Sequence, residues 1–339
     1  MKVSTMNCSE LLHLNYIPTV WEVFDALGNI GIFLVSVTGI ATVLVFAIFF
    51  QESIYLFHHW PRQQCFLTLL CLNTFPFAAG GFFISMVFPN LAETAKTIIL
   101  IYLPVSLVVY FRLMINYGGG EKVILRKLFG QEMILQGPPL CCLCFCCDKP
   151  PLTRRRFFFL KCSVYQLALT PVLLATAKYI GIEYGIFIEG LLSPYNAAPY
   201  ISVISTLSMM FGVYSLVIFS RIAAASIKDF QMTHKFAPLQ ANFLLIRLQV
   251  IIFGIVGRAE AFPCIYPVSS TMTGHYISSA VIIGEAFILA VIARAIFLHP
   301  PPYSMWPVQS SICDNSSISQ ISVSEQDSMN SGLESLNSV

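Results

Sequence analysis

Charged side chains are what this chain most lacks. Asp, Glu, Lys and Arg make up 11% of its 339 residues against 56% hydrophobic residues, less than half the charged share of an average soluble domain. That scarcity excludes an ordinary soluble fold and points to a membrane protein. The net charge of +2 is too small to mark nucleic acid as a partner. No basic start followed by a compact apolar run occurs in residues 1–26, so no cleavable signal peptide is expected, and the first span would serve as the export signal. There is no Walker-type phosphate loop, and no convergent Ser, His and Asp set. The His58-His59 pair has no further ligands nearby in sequence. An enzyme, a metal site and a cofactor are therefore not expected.

What is present are seven long apolar stretches, each able to cross a bilayer core with about 20 residues: Leu27–Phe50, Cys65–Phe88, Thr97–Asn116, Phe157–Ile180, Pro199–Ser220, Ala237–Val256 and Tyr276–Phe297. The expected fold is an all-α seven-transmembrane-helix bundle. Lys and Arg orient it, because cytoplasmic loops carry their excess. With the N terminus outside, the inner loops hold Arg62, Lys122, Arg126, Lys127, Lys149, Arg154, Arg155, Arg156, Arg221, Lys228 and Lys235, and the outer segments only Lys2, Lys96 and Arg258. The expected organisation is an extracellular segment 1–26, a seven-helix domain 27–297 with a cytoplasmic loop 117–156, and a Ser-rich, disordered cytoplasmic tail 298–339.

The inner loop carries CCLCFCC, placing Cys141, Cys142, Cys144, Cys146 and Cys147 in reducing cytosol, where a structural disulfide cluster is not expected. Adjacent cysteines point apart and no histidine lies close, which argues against zinc. S-palmitoylation suits juxtamembrane cysteines flanked by Leu140, Leu143 and Phe145, with Arg154 to Arg156 facing anionic lipid. A chemically silent hydrophobic hairpin is the alternative. Cys8 and Cys264 both fall outside, as a disulfide candidate or as two free thiols. Asn7-Cys8-Ser9 is a glycosylation sequon, which a bond at Cys8 would crowd; the sequon at Asn315 faces the cytosol.

Arg112, Lys161, Lys178 and Arg294 lie near span ends, where long side chains snorkel to water. Arg247 and Glu285 are deeper, roughly 15 and 18 Å from the inner ends of spans six and seven at about 1.5 Å per residue. A central charge costs at least about 2.5 kcal/mol, so pairing Arg247 with Glu285 is the simplest expectation. The alternative is that Arg247 receives an anionic substrate group, with Gln240 seven residues earlier on the same face, Glu285 orienting it, and Ser278 seven residues before Glu285. Arg112, at the inner rim, completes the substrate-binding candidates. Pro76, Pro104 and Pro171 fall inside spans and free backbone carbonyls.

A G-protein-coupled receptor reading fails on detail. Span three ends FRLMINYGGG without an acidic-arginine pair, and span seven ends VIARAIFLHPPPY without Asn-Pro-x-x-Tyr. From about Leu27 to Phe297 the chain instead resembles the organic solute transporter alpha subunit family. The resemblance is carried by GGEKVILR from Gly119, by CCLCFCC between QGPPL and PPLTRRR, by Lys235-Phe236-Ala237 with Gln240, by Glu285 within GEAF, and by AFPCIYPVSS around Cys264. Arg247 is not part of the family's pattern, which makes it a candidate for a preference peculiar to this chain. The resemblance implies facilitated, bidirectional movement of amphipathic organic anions such as bile acids and steroid sulfates, without ATP or sodium. It also implies a single-span beta subunit as partner and a basolateral plasma-membrane location reached through the endoplasmic reticulum. A seven-span protein acting in trafficking or signalling is the alternative. Hydroxylamine-sensitive mass tagging is expected to label cysteines of the CCLCFCC run; five unmodified thiols would remove acylation.

Overall fold

In this computed structural model the described residues are 18–133, 135, 150–188, 193–226, 232–259, 261–264 and 267–297. Helix α1 (Val20–His59) has no proline in its length, and the Glu22 carboxylate accepts the Thr19 backbone N–H at 2.8 Å, closing its first turn. Gly28, at φ 55°, interrupts the helix with a conformation that a side chain would strain. The helix ends just before Trp60-Pro61, because a residue preceding proline is pushed out of the helical region. Since α1 begins at Val20, the end of the expected extracellular segment 1–26 is helical instead.

Span two, expected as one span that Pro76 could kink, is two helices, α2 (Arg62–Leu72) and α3 (Thr74–Val87). Pro76 falls in the first turn of α3, where a missing N–H removes no helical bond. The break at Asn73 is held by polar partners. Its side-chain amide donates to the Tyr102 hydroxyl at 2.9 Å, which donates to the Leu70 carbonyl at 3.1 Å, and the Thr74 hydroxyl donates to the Cys71 carbonyl at 2.6 Å.

A 3₁₀ turn (Pro89–Leu91) leads into α4 (Ala92–Tyr117). Gly119 and Gly120, with φ 89° and 93°, turn the chain into α5 (Glu121–Leu128). This short helix is amphipathic, burying Ile124 and Leu128 and exposing Lys122, Arg126 and Lys127. The remaining helices are α6 (Arg154–Glu183), whose N-cap Thr153 accepts the Arg156 N–H, α7 (Ala197–Ser226), α8 (Met232–Arg258) and α9 (Ser270–Phe297). The described residues contain no strand, only isolated bridge residues such as the pair Glu132 and Pro151. Seven helical segments are long and apolar enough to cross a membrane, as expected, and each begins before the apolar stretch that announced it. The expected loop 117–156 thus contains a helix and loses its last residues to α6. Asn7, Cys8, the five clustered cysteines and the tail 298–339 lie outside the described residues.

Helix α9 packs against α1, α3 and α8, while α4 packs against α2, α3 and α6, and α6 against α7. Contacts of α8 with α4 and α7 are sparse by comparison. Aromatic rings bridge the helices at the core: Phe111 of α4 meets Phe219 of α7 at 4.8 Å and 64°, and Tyr110 stacks on Phe236 of α8 at 5.2 Å. The Tyr276 hydroxyl of α9 donates to the Met86 carbonyl of α3 at 2.7 Å. Lipid offers no hydrophobic force between helices, so close packing must hold them. Gly212 of α7 allows such an approach, since a Cβ there would lie 2.3 Å from Leu167 Cγ of α6.

Leu167 is itself buried and has little room to yield. Gly212→Ala is expected to destabilise the α6–α7 pair by about 1–3 kcal/mol, read as a lower Tm of the purified protein. Gly254→Ala, which points into open space, should leave Tm unchanged.

Candidate functional site

Proline 104 is where the site begins. It carries no N–H, so the carbonyl four residues earlier, that of Leu100, loses its helical donor. Arg247 reaches across from α8 and donates from Nη2 to that oxygen at 3.1 Å. Its guanidinium also lies 5.9 Å from the Phe243 ring. The Nε–H has no hydrogen-bond partner, leaving most of the five guanidinium donors uncommitted. They sit in a narrow cleft walled by Pro104, Leu167, Thr170, Pro171, Ser205, Ser208 and Met209. The Ser208 hydroxyl donates to the Thr170 hydroxyl at 3.0 Å, and Gln166 donates to the Ser208 carbonyl at 3.3 Å. The cleft measures about 10 Å³, the space of a single water. A positive, hydroxyl-lined and half-buried crevice of this kind can take an anion once its walls part.

The expected Arg247–Glu285 pair does not form. Glu285 Oε1 instead accepts from Gln249 Nε2 at 2.6 Å, and among the described residues no ion pair joins it to Arg247. The depths agreed, but direction around the helix did not. Two residues turn an α-helix by about 200°, so Gln249 faces α9 while Arg247 faces α4, α6 and α7. Glu285 Oε2 and Gln249 Oε1 remain buried without partners.

Gln240 is half-buried on the stripe of α8 that leads to Arg247, and Ser278 is buried on the stripe of α9 that leads to Glu285. Arg112 stands apart from the cleft. It is exposed, donates from Nε to the Tyr165 hydroxyl at 3.1 Å and lies 5.3 Å over that ring. The other expected snorkelling cations have polar partners near span ends: Lys161 with Glu121 at 2.6 Å, Lys178 with Glu93 at 3.2 Å, and Arg294 donating to Gln51. Exposed pairs of this sort contribute about 0–1 kcal/mol. Cys264 is disulfide-bonded, and Cys8, its expected partner, lies outside the described residues.

Two features escaped the sequence reading. Lys235, counted there as a loop charge, is 2% exposed and lies over the rings of Trp60, Tyr117 and Phe297 at 5.1, 5.5 and 5.6 Å. Each such contact contributes about 0.5–2 kcal/mol. The spacing Lys235, Asn242, Gln249, seven residues each, was readable as one polar stripe on α8. Glu52, buried on α1 with Oε1 unpartnered, fell just beyond the expected end of span one. A second recess is different in kind: an apolar groove of about 490 Å³ lined by Val35, Ser36, Gly39, Ile40, Val43, Leu44 and Phe83. Its Ser36 hydroxyl is already donated to the Ile32 carbonyl, so it offers no anion a partner.

The family model described as organic solute transporter Ostalpha matches residues 34–304. The organic solute transporter subunit alpha of Mus musculus is 27% identical over 300 residues, covering 86% of this chain and 88% of that protein. Its Homo sapiens counterpart is 25% identical over 284 residues, covering 82% of each. That of Danio rerio is 24% identical over 276 residues, covering 80% of this chain and 85% of that protein. No solved structure matches.

The bond between Arg247 and the Leu100 carbonyl makes a testable coupling. Pro104→Ala supplies the missing N–H, so Arg247→Met should cost about 1–2 kcal/mol less in that background than in the native chain. A double-mutant cycle of unfolding in detergent micelles measures the difference; strict additivity would remove the bond.

Proposed function

Because the chain belongs to the organic solute transporter alpha family, we propose that it is the alpha subunit of a heteromeric, facilitative carrier of amphipathic organic anions, bile acids and conjugated steroids among them. A solute-transporter role, not an enzyme's, follows from the family, and a multi-pass membrane protein from the family and the seven spanning-capable helices. The relatives' printed name, subunit alpha, supports a partner, which the resemblance makes a single-span beta subunit. The Lys and Arg distribution supports an extracellular N terminus and a cytoplasmic C terminus. Residence is at the plasma membrane, basolateral in epithelia, after passage through the endoplasmic reticulum. Movement is bidirectional and down the electrochemical gradient, with neither ATP nor sodium.

The observation that carries this reading is Arg247, a cation with free donors facing Thr170, Ser205 and Ser208 near the middle of the bundle. An amphipathic anion arriving from the lipid would set its sulfate or carboxylate on the guanidinium and its apolar body against Leu167, Pro171 and Met209. The Leu100 carbonyl holds Nη2 of the same guanidinium, while its unpartnered Nε–H remains to receive the anion. Opening requires α8 to part from α4 and α7, which it touches far less than α9. Arg154, Arg155 and Arg156, all exposed, suit the anionic headgroups beside the acylated cysteine loop.

Radiolabelled steroid sulfate uptake, with surface biotinylation in parallel, tests the reading. Saturable, sodium-independent flux is expected only when the beta subunit is co-expressed; both subunits at the surface without flux would overturn it. Arg247→Gln should lower flux of the sulfated substrate about tenfold per surface copy, the order of one charge-assisted hydrogen bond. Equal loss of flux and surface amount would return Arg247 to a structural role.

A further inference from the structure

One end of the bundle closes around a single ammonium. Trp60 comes from the junction of α1 and α2, Tyr117 from the last turn of α4, and Phe297 from the last residue of α9. All three rings lie within 5.6 Å of Lys235 Nζ, near the start of α8. No ion pair or hydrogen bond among the described residues engages that ammonium, and the buried Glu52 makes no ion pair with it. An ammonium taken out of water without an anion loses most of its hydration, and ring faces replace only part of it. Among the described residues no carboxylate pairs with its positive charge, which is what an incoming anion would find.

A second observation points the same way. On the stripe of α8 that continues from Lys235, Asn242 is 1% exposed with Nδ2 unpartnered. One further heptad on, Gln249 Oε1 and the Glu285 Oε2 beside it are buried and unpartnered. Buried polar groups without partners are uncommon and mark places where water or a ligand belongs. The stripe leads from the closed mouth to mid-depth.

We propose that Lys235 is a second anion station, at the mouth the orientation above assigns to the cytoplasm. It takes the sulfate or carboxylate of an amphipathic anion, while Trp60, Tyr117 and Phe297 line the anion's apolar body and close the mouth when it is empty. The inference rests on the transporter reading and adds a site to it. The station is distinct from Arg247: twelve residues of helix separate them by about 18 Å along the axis and about 120° around it. A carboxylate in place of the rings would neutralise the ammonium and turn an organic anion away. Ring faces hold the cation without consuming its charge, so the same four groups can seal the mouth and receive substrate.

The test uses the full chain with its beta subunit. Lys235→Gln is expected to raise the efflux KM for a steroid sulfate about tenfold, the order of losing one charge-assisted hydrogen bond. Uptake KM should stay within about twofold, with surface amount unchanged and Lys235→Arg close to native. The maximal rates must shift in compensation, because a passive carrier cannot move the equilibrium. Unchanged KM values in both directions, or equal shifts in both, would overturn the station. A binding arm does not depend on flux. In the full chain carrying Trp21→Phe and Trp306→Phe, Trp60 alone reports, and steroid sulfate should shift its emission saturably while the unsulfated steroid does not. Adding Lys235→Gln should abolish the shift. If native protein with its partner carries no flux, the transporter reading fails, and this titration alone decides the station: a saturable, Lys235-dependent shift keeps it and no shift removes it.

Discussion

A carbonyl without a donor and a guanidinium without an acid meet at Leu100 and Arg247, and the organisation of the bundle depends on the constraint they express. Hydrocarbon supplies no hydrogen bonds, so a polar group inside the membrane must be answered by another part of the protein. Pro104 creates a need on α4 and Arg247 meets it from α8. Asn73, Tyr102 and Leu70 settle the break between α2 and α3 in the same way, and Gln249 answers Glu285 between α8 and α9. Each answer joins elements distant in sequence, so the polar groups bring specificity to a bundle whose apolar surfaces alone are nearly interchangeable with lipid.

Helix α8 concentrates the chemistry. One stripe presents Lys235, Asn242 and Gln249 to the interior, and another, which also carries Gln240, presents Arg247 to the cleft beside α4, α6 and α7. The helix is braced on α9 and only lightly held against α4 and α7. In its present state that cleft is sealed to the width of a water and the mouth around Lys235 is closed by rings. In this arrangement the Arg247 guanidinium holds the Leu100 carbonyl oxygen and the Lys235 ammonium lies over π faces.

Much of the fold was legible. Seven apolar runs in a chain with little charge leave few architectures, and the helices appear where the runs are. The break in span two was not legible, because Pro76 by itself is compatible with a kinked continuous helix, and the decisive partner, Tyr102, lies in another span. Arg247 and Glu285 stood out as deep charges, and their depths matched. Their assumed pairing failed because depth is a property of one helix, whereas facing is a property of two. The burial of Lys235 was not legible for a related reason: at the edge of an apolar run a lysine is ordinarily a solvated anchor, and only the convergence of Trp60, Tyr117 and Phe297 buries it.

The sequence by itself determined that this chain lives in a membrane, that it crosses seven times, and which family it resembles, since length, hydropathy and local motifs are carried along the chain. Only the tertiary structure decided which polar group answers which. A helix commits each side chain to one direction in space, and neighbours contributed by other helices determine whether that direction ends at a carboxylate, a proline-freed carbonyl or the face of a ring.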